Sequence, residues 1–169
     1  NLNSIGFIQG RLSSLVNGLI QAFPWDNWQN EFFVAKEHGF KIMEWTLDQD
    51  YLYENPLMTE NGREEIKSLM LKYNISIPSV TGDCFMQMPF YKVSGDNRKI
   101  LLKDLHNIII SCGLFGVKYI VFPLVDNGKL ETLKQKNILK EGLALFNSEL
   151  HNYGIKIIFE SDLSPDRLK

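Results

Sequence analysis

The chain alternates short apolar runs with longer segments of helical periodicity. Gly or Asn followed by a run of β-branched and aromatic residues recurs every 35 to 42 residues, beginning at Gly39, Asn74, Gly116 and Gly154. Gly or Asn ends a helix in the left-handed conformation, and the run that follows favours a strand. A repeat of this length indicates a strand–helix unit that occurs several times.

The segments between these runs carry apolar residues at helical spacing. Residues 4–9 supply an earlier strand, so the predicted order is β-α-β-α-β-α-β-α-β, with parallel strands. A capping box is predicted at Asp26 and Gln29, and caps at Thr59 and at Ser94 or Asp96. The predicted inner faces of the first and fourth helices comprise Trp28, Phe32 and Ala35, and Leu139, Leu143, Phe146 and Leu150.

Two folds accommodate this order in a single domain spanning residues 1–169. An open, doubly wound flavodoxin-like sheet usually binds phosphate at its first turn and ends on a helix, but residues 9–14 lack a Gly-x-Gly-x-x-Gly motif. A (β/α)8 barrel of the TIM type instead carries active groups at the carboxyl ends of its strands. Polar groups follow every predicted strand: Gln9, Arg11, Glu44, Asp83, Asp126, Asn127, Glu160 and Asp162. We therefore predict an α/β barrel, apparently truncated after strand 5, with the open sheet as the alternative.

Composition limits the classes of partner and the cellular location that can be expected for the protein. A formal net charge of −2 argues against nucleic-acid binding through a basic face. No stretch approaches the ~20 apolar residues of a membrane span, so no membrane partner is expected. Two cysteines do not make a disulfide framework, which favours a reducing, cytoplasmic location.

Several motifs point to a family. They are residues 6–13 (GFIQGRLS), 21–25 (QAFPW), 42–45 (IMEW), 55–57 (NPL) and 122–127 (FPLVDN). The chain resembles the sugar phosphate isomerase/epimerase group of the xylose-isomerase-like TIM barrel superfamily. The resemblance implies a divalent metal (Mn, Mg, Co or Zn) at the barrel mouth.

In that family a Glu at the end of strand 5 is a metal ligand, and Glu160 matches it. An Asp, a His and a Glu on strands 6 to 8 complete the family's site and have no counterpart here. Many members also place a His after strand 3, where this chain has Asp83 instead. The resemblance further implies that Glu160 stands near the substrate carbon that loses a proton.

The other candidate site residues have proposed roles with simpler alternatives. Glu44 is predicted to bind sugar hydroxyls or support the metal, and Trp45 to pack on a sugar face. Arg11 is predicted to clamp a phosphate or carboxylate, or else to tie the first loop to Glu44 or Asp83. Asp83 and Asn127 are further candidates for substrate binding. The alternatives are a solvated acid for Glu160 and a salt bridge for Glu44.

The remaining reactive side chains are interpreted as structural. His38, His106 and His151 fall on predicted helices and share no metal-ligand spacing. Cys84 has no evident base and is predicted to be a small buried or loop residue. Phe23, Trp25 and Trp28 are interpreted as helix packing or as a lid over a ligand.

We expect a sugar or sugar-phosphate isomerase/epimerase that uses metal-assisted proton transfer next to a carbonyl. The chain is expected to be incomplete and inactive alone. Unpaired strands at the two edges would favour self-association, so a homo-oligomer is possible. The alternatives are a related barrel dehydratase acting on a cyclic polyol and a non-catalytic flavodoxin-like binding domain.

Overall fold

The protein is described here from a computed structural model, which covers residues 5–16, 18, 22–162, 164 and 166. Strands and helices alternate through most of it. The strands are β1 (Gly6–Ile8), β2 (Ile42–Thr46), β3 (Ser76–Thr81), β4 (Tyr119–Pro123) and β5 (Lys156–Glu160). The helices are α1 (Asn30–Glu37), α2 (Glu60–Tyr73), α3 (Asp83–Gln87), α4 (Gly95–Phe115), α5 (Leu133–Ala144) and α6 (Asn147–Tyr153).

All five strands are parallel and lie in the order β1-β2-β3-β4-β5. Because right-handed crossovers between successive neighbours always pass over the same side, the helices cover one face of the sheet. This is the arrangement of a (β/α)8 barrel. A flavodoxin-like sheet has the order 2-1-3-4-5 with helices on both faces, so the alternative of an open sheet is wrong.

The Gly/Asn phrases end helices as predicted. Asn74, Gly116 and Gly154 cap α2, α4 and α6 with φ values of 56°, 98° and 66°, and Gly39 follows α1 with a φ of 77°. The predicted cap at Thr59 is confirmed, since its side chain accepts a hydrogen bond from the Gly62 N–H. These local signals position the start of β2 to β5.

Two helix predictions are corrected. Helix α1 begins at Asn30, and neither a capping box nor a side-chain cap forms at its start. Residues 25–29 instead form turns, in which the Asn27 N–H donates to the Pro24 carbonyl. The predicted fourth helix is two helices, because Phe146 leaves the helical conformation between α5 and α6. There its ring stacks on His106 of α4. Ser4, the predicted start of the first strand, lies outside the described residues.

The core lies between the sheet and the helices. Alternate residues of the strands are fully buried there, such as Met43 and Trp45 of β2 and Ile120 and Phe122 of β4. Trp28, Phe32 and Ala35 of the first helical segment meet them as predicted. The opposite face of the sheet, which would be the inside of a barrel, carries the other alternate residues.

The inside face of the sheet and its β5 edge expose apolar groups. Ile158 and Phe159 are both 44% exposed, and Tyr119 on the neighbouring strand is 38% exposed. An exposed apolar strand edge favours association. Homo-oligomerisation through this edge stays a prediction.

Within the described part of the chain, every helix is too short or too polar to cross a membrane.

Candidate functional site

The inside face of the sheet carries the polar side chains from which the candidate site is built. Strand register places Glu44 beside Ile8 and Ser79, whereas Glu160 pairs with Pro123. A register shift between β2 and β3 occurs at Ile77–Pro78, where β3 has one additional residue. The shift turns Ser79 to the same face as Glu44.

Glu44 and Ser79 form a strong hydrogen bond on this face. The Ser79 hydroxyl donates to Glu44 Oε2 over 2.6 Å, a length typical of an O–H group bonded to a carboxylate. Both residues line an open cavity of about 400 Å³ together with Ile8, Arg11 and Ile42. Glu44 does not end its strand as predicted, because β2 continues to Thr46. Its carboxylate therefore lies inside the barrel, below the mouth.

Trp45 does not face a substrate. Adjacent residues of a strand point to opposite faces, and Trp45 is fully buried beneath the helices. Its ring packs against Phe23 and Trp28, each with a centroid separation of 5.5 Å. The indole N–H donates to Asn55 Oδ1 over 2.9 Å. The prediction that Trp45 packs on a sugar is wrong.

The loop after β1 is held by Glu31, a residue that the sequence analysis missed. The Gly10 N–H donates to both Glu31 carboxylate oxygens, at 2.9 and 3.0 Å, and the Leu12 N–H donates to Oε1 at 3.0 Å. Gly10 has a φ of 92°, and a Cβ there would lie 2.5 Å from the Ala22 carbonyl oxygen. Arg11, between Gly10 and Leu12, is exposed and lines the cavity next to Glu44. The loop that presents Arg11 is thus fixed from α1.

Gln9 also lies beneath this loop and is fully buried. Its side-chain oxygen accepts a hydrogen bond from the Thr46 N–H at 3.1 Å, and its carbonyl accepts one from the Thr46 hydroxyl at 3.2 Å. Gln9 therefore joins β1 to the end of β2 and is a structural residue of the mouth.

Asp83 and Asn127 lie after β3 and β4, as predicted. Asp83 is buried at the start of α3, where Oδ1 accepts a hydrogen bond from the Thr81 hydroxyl at 3.2 Å. The Asn127 amide donates to the carbonyls of Met86 and Gln87, at 3.1 and 3.2 Å. Asn127 is exposed and caps the end of α3, so its donors are already engaged by the protein.

Glu160 is the last residue of β5, and its predicted position is confirmed. Its side chain is exposed. Its carbonyl accepts a hydrogen bond from the Leu124 N–H over 2.7 Å, which extends the β4–β5 pairing to the carboxyl end of the sheet. Further along, Asp162 forms an ion pair with Lys129 at 2.7 Å. Glu160 therefore stands on a rigid strand at the mouth.

Comparison with known proteins agrees with this architecture. The chain matches no protein family profile and no curated protein sequence. Its structure is similar to a xylose isomerase domain protein from Planctomyces limnophilus, with a TM-score of 0.66 and 10% identity over 98% of this chain and 57% of that one. The chain has the fold of the xylose isomerase-like TIM barrels.

Two further solved structures are similar to this barrel. One is 3-keto-D-glucoside 4-epimerase from E. coli, with a TM-score of 0.58 and 18% identity over 82% of this chain and 52% of that one. The other is a xylose isomerase-like TIM barrel protein from Mycobacterium smegmatis in complex with magnesium, with a TM-score of 0.59 and 16% identity over 91% of this chain and 53% of that one. The chain thus spans little more than half the length of the barrels that it matches.

The predicted metal site has one candidate ligand at the end of β5. Glu160 offers carboxylate oxygens, which suit a hard divalent cation. Among residues 5–16, 18, 22–162, 164 and 166, no three His, Cys, Asp or Glu side chains gather around a common point. Glu160 therefore fits a metal as one ligand of a set that the described residues do not complete.

The histidines lie on helices or at a helix end, and both cysteines are buried. His106 and His151 are on helices and His38 ends α1, as predicted. His106 approaches Glu149 at 3.6 Å and joins α4 to α6. Cys84 and Cys112 are both buried. None of these side chains contributes to the inside face.

We predict that neither thiol reacts with a disulfide reagent in the folded protein. Burial raises the pKa of Cys84 well above its usual value and that of Cys112 to about 12. Because the thiolate is the reactive form, Ellman's reagent at pH 8 should release no thionitrobenzoate within minutes, and two equivalents after denaturation. Rapid reaction of one native thiol would contradict the burial described here.

Proposed function

We propose that this chain is the amino-terminal part of a sugar or sugar-phosphate isomerase/epimerase. The observation that carries the proposal is the position of Glu160 at the carboxyl end of β5, in a parallel sheet of barrel order. Active groups of TIM barrels lie at this end of the strands. A similar barrel is an epimerase of a keto-glucoside, which favours chemistry at a carbon next to a carbonyl.

In the proposed reaction Glu160 transfers the proton. A carboxylate within hydrogen-bond reach of a carbon-bound proton acts as a general base and returns the proton as a general acid. Glu160 is suited to this role because it is exposed at the mouth while its backbone is fixed by β4. Return of the proton to the neighbouring carbon, with the hydroxyl proton passing to the former carbonyl oxygen, gives isomerisation. Epimerisation requires a second acid on the opposite face, because Glu160 delivers the proton to the face from which it removed it.

Substrate binding is proposed for the inside face and the loops above it. The Glu44 carboxylate, held by Ser79, accepts hydrogen bonds from sugar hydroxyls. Arg11 borders the same cavity and provides a cation for a phosphate or another anionic group. Asp83 and Asn127 remain proposed contacts at the rim, where the Asn127 side-chain oxygen is the group that a sugar would meet.

A divalent metal is proposed as the cofactor, with Glu160 as one of its ligands. Magnesium is present in one of the similar barrels. When bound, such a metal polarises the substrate carbonyl and stabilises the negative charge that develops on its oxygen. The further ligands would come from strands beyond β5, so we expect the 169-residue chain to be inactive alone.

The test is solvent exchange of the substrate proton. The polypeptide encoded by the reading frame that contains this chain is incubated in D₂O with Mn²⁺ and a panel of ketoses, aldoses and keto-glucosides. NMR is expected to show deuterium at the carbon next to the carbonyl of one substrate. Glu160→Gln should lower the exchange rate by roughly 10²- to 10⁴-fold, the usual contribution of a general base.

Glu141→Gln is the matched control, because Glu141 is an exposed acid on α5. It should leave the exchange rate unchanged, and circular dichroism should show both variants folded. Equal exchange by the wild type and Glu160→Gln would contradict the role of Glu160. A reading frame without further strand-end Asp, His and Glu residues, or absence of exchange with every sugar, would contradict the proposed function.

A further inference from the structure

A second cavity lies outside the sheet, between the loops that follow β1, β2 and β3. Its volume is about 160 Å³, which suits a small head group rather than a drug-sized molecule. The described residues that line it are Val16, Ala22, Phe23, Trp25, Asp48, Asp50, Tyr51 and Gln87. It is distinct from the Glu44 cavity, with which it shares none of these residues.

Two exposed aromatic rings border the cavity. Trp25 is 37% exposed and Tyr51 is 68% exposed, and their rings meet edge to face with centroids 5.9 Å apart. Trp25 also contacts the buried Phe23 ring at 4.6 Å, which fixes the indole from below. The cavity is therefore bordered by two partly exposed aromatic rings on a supported base.

The formal charge of the cavity is negative. Among the described residues that line it, the charged side chains are Asp48 and Asp50. An anionic ligand such as a phosphate would be repelled here, whereas a cation gains from both carboxylates.

Asp48 is held in place by neighbouring loops. The Phe23 N–H donates to Oδ2 at 2.9 Å, and the Gln87 side-chain amide donates to Oδ1 at 2.7 Å. The Gln87 oxygen in turn accepts a hydrogen bond from the Gln49 N–H at 2.7 Å. The carboxylate is thus oriented before a ligand arrives, which reduces the ordering cost of binding.

We propose that this cavity binds the ammonium group of a small organic cation. Aromatic faces attract a cation through the ring quadrupole, and the carboxylates supply the opposite charge. Trp25 and Tyr51 would contact the methyl or methylene groups next to the nitrogen, while Asp48 and Asp50 face its charge. The proposal is independent of sugar isomerase activity, because it involves neither Glu160 nor the inside of the barrel.

The probe is choline, and its control is 3,3-dimethyl-1-butanol, which replaces the charged nitrogen with carbon at the same size. Binding is followed by NMR through the Trp25 indole signal and by calorimetry. Choline should bind saturably and roughly 3- to 30-fold more tightly than the neutral isostere, the range expected for a cation–π contact. Trp25→Ala and Asp50→Asn should each weaken binding by a factor within the same range.

Two variants separate binding from folding. Trp25→Phe retains an aromatic face and should keep most of the affinity. Asp96→Asn removes an exposed acid on α4 and should change nothing. Equal affinity for choline and its isostere, tighter binding of methyl glucoside or phosphate than of choline, or no saturable binding would each overturn the proposal. Loss of deuterium exchange in Glu160→Gln would leave it unaffected, so the two proposals fail separately.

Discussion

Replacing Glu31 with alanine is expected to lower the free energy of unfolding by about 2–4 kcal/mol. Glu31 is fully buried, and its carboxylate accepts the Gly10 and Leu12 N–H groups. Removing it leaves one buried and one partly buried donor without a partner, and an unpaired buried donor costs about 1–3 kcal/mol. Urea denaturation followed by circular dichroism measures the change.

Glu37→Ala is the matched control, because Glu37 is an exposed acid on the same helix. It should change the free energy of unfolding by less than about 0.5 kcal/mol, as is usual for surface substitutions. If the two variants are equally stable, the hydrogen bonds between α1 and the first loop do not contribute to folding as inferred. Loss of order in that loop should also be visible as faster exchange of the Gly10 amide.

Glu31→Gln tests the same contact through pH. Burial raises the pKa of Glu31 above its usual 4.5, and the hydrogen bonds from the Gly10 and Leu12 N–H groups oppose this only in part. The folded state therefore holds the proton more tightly than the unfolded state does. The stability of the wild type relative to Glu31→Gln should fall as the pH rises from 4.5 through the folded-state pKa. A relative stability that increases over this window would contradict the direction of the shift.

Replacing Trp45 with alanine is expected to be the most destabilising of these changes, at about 3–5 kcal/mol. The ring is fully buried between Phe23 and Trp28, and its N–H is bonded to Asn55. Alanine leaves a large cavity and removes one partner of Asn55, which also holds the Leu57 N–H and the Thr46 carbonyl. Since a domain is stable by only about 5–15 kcal/mol, the variant should unfold at much lower urea concentrations.

Trp25→Ala provides the comparison, because Trp25 is partly exposed. This substitution is expected to lower the free energy of unfolding by about 1 kcal/mol, near the centre of the distribution for single substitutions. A loss for Trp45→Ala no larger than that for Trp25→Ala would contradict the placement of Trp45 in the core. The result also tests whether Trp45 contacts a substrate. Because Trp45 lies in the core, its replacement should change substrate affinity only by destabilising the fold.

The strands and the helix ends could be predicted because their signals are local. Gly or Asn in the left-handed conformation follows the helices that precede β2 to β5, and the apolar run after it favours a strand. The start of α1 could not be predicted in this way. Asp26 is a residue type that often caps helices. Here it lies in a series of turns instead, in which the Asn27 N–H donates to the Pro24 carbonyl.

The site was less predictable, because it depends on which face each residue occupies. The period of two in a strand places Glu44 and Trp45 on opposite faces, and this signal could have excluded Trp45. Glu31 gave no local signal, since it contacts a loop 21 residues away. The same holds for Ser79, whose orientation depends on the register shift at Ile77–Pro78. Position at a strand end was sufficient to locate Glu160, Asp83 and Asn127 in the fold, while their roles stay predictions.

Helix α3 is joined to the loops on both sides of it. Cys84 N–H donates to the Leu47 carbonyl, Gln87 bonds with Asp48 and Gln49, and Asn127 donates to the end of the helix. Because these hydrogen bonds link the three segments, we expect them to unfold locally as one cooperative unit. This part of the rim is therefore expected to keep its shape while a ligand enters or leaves.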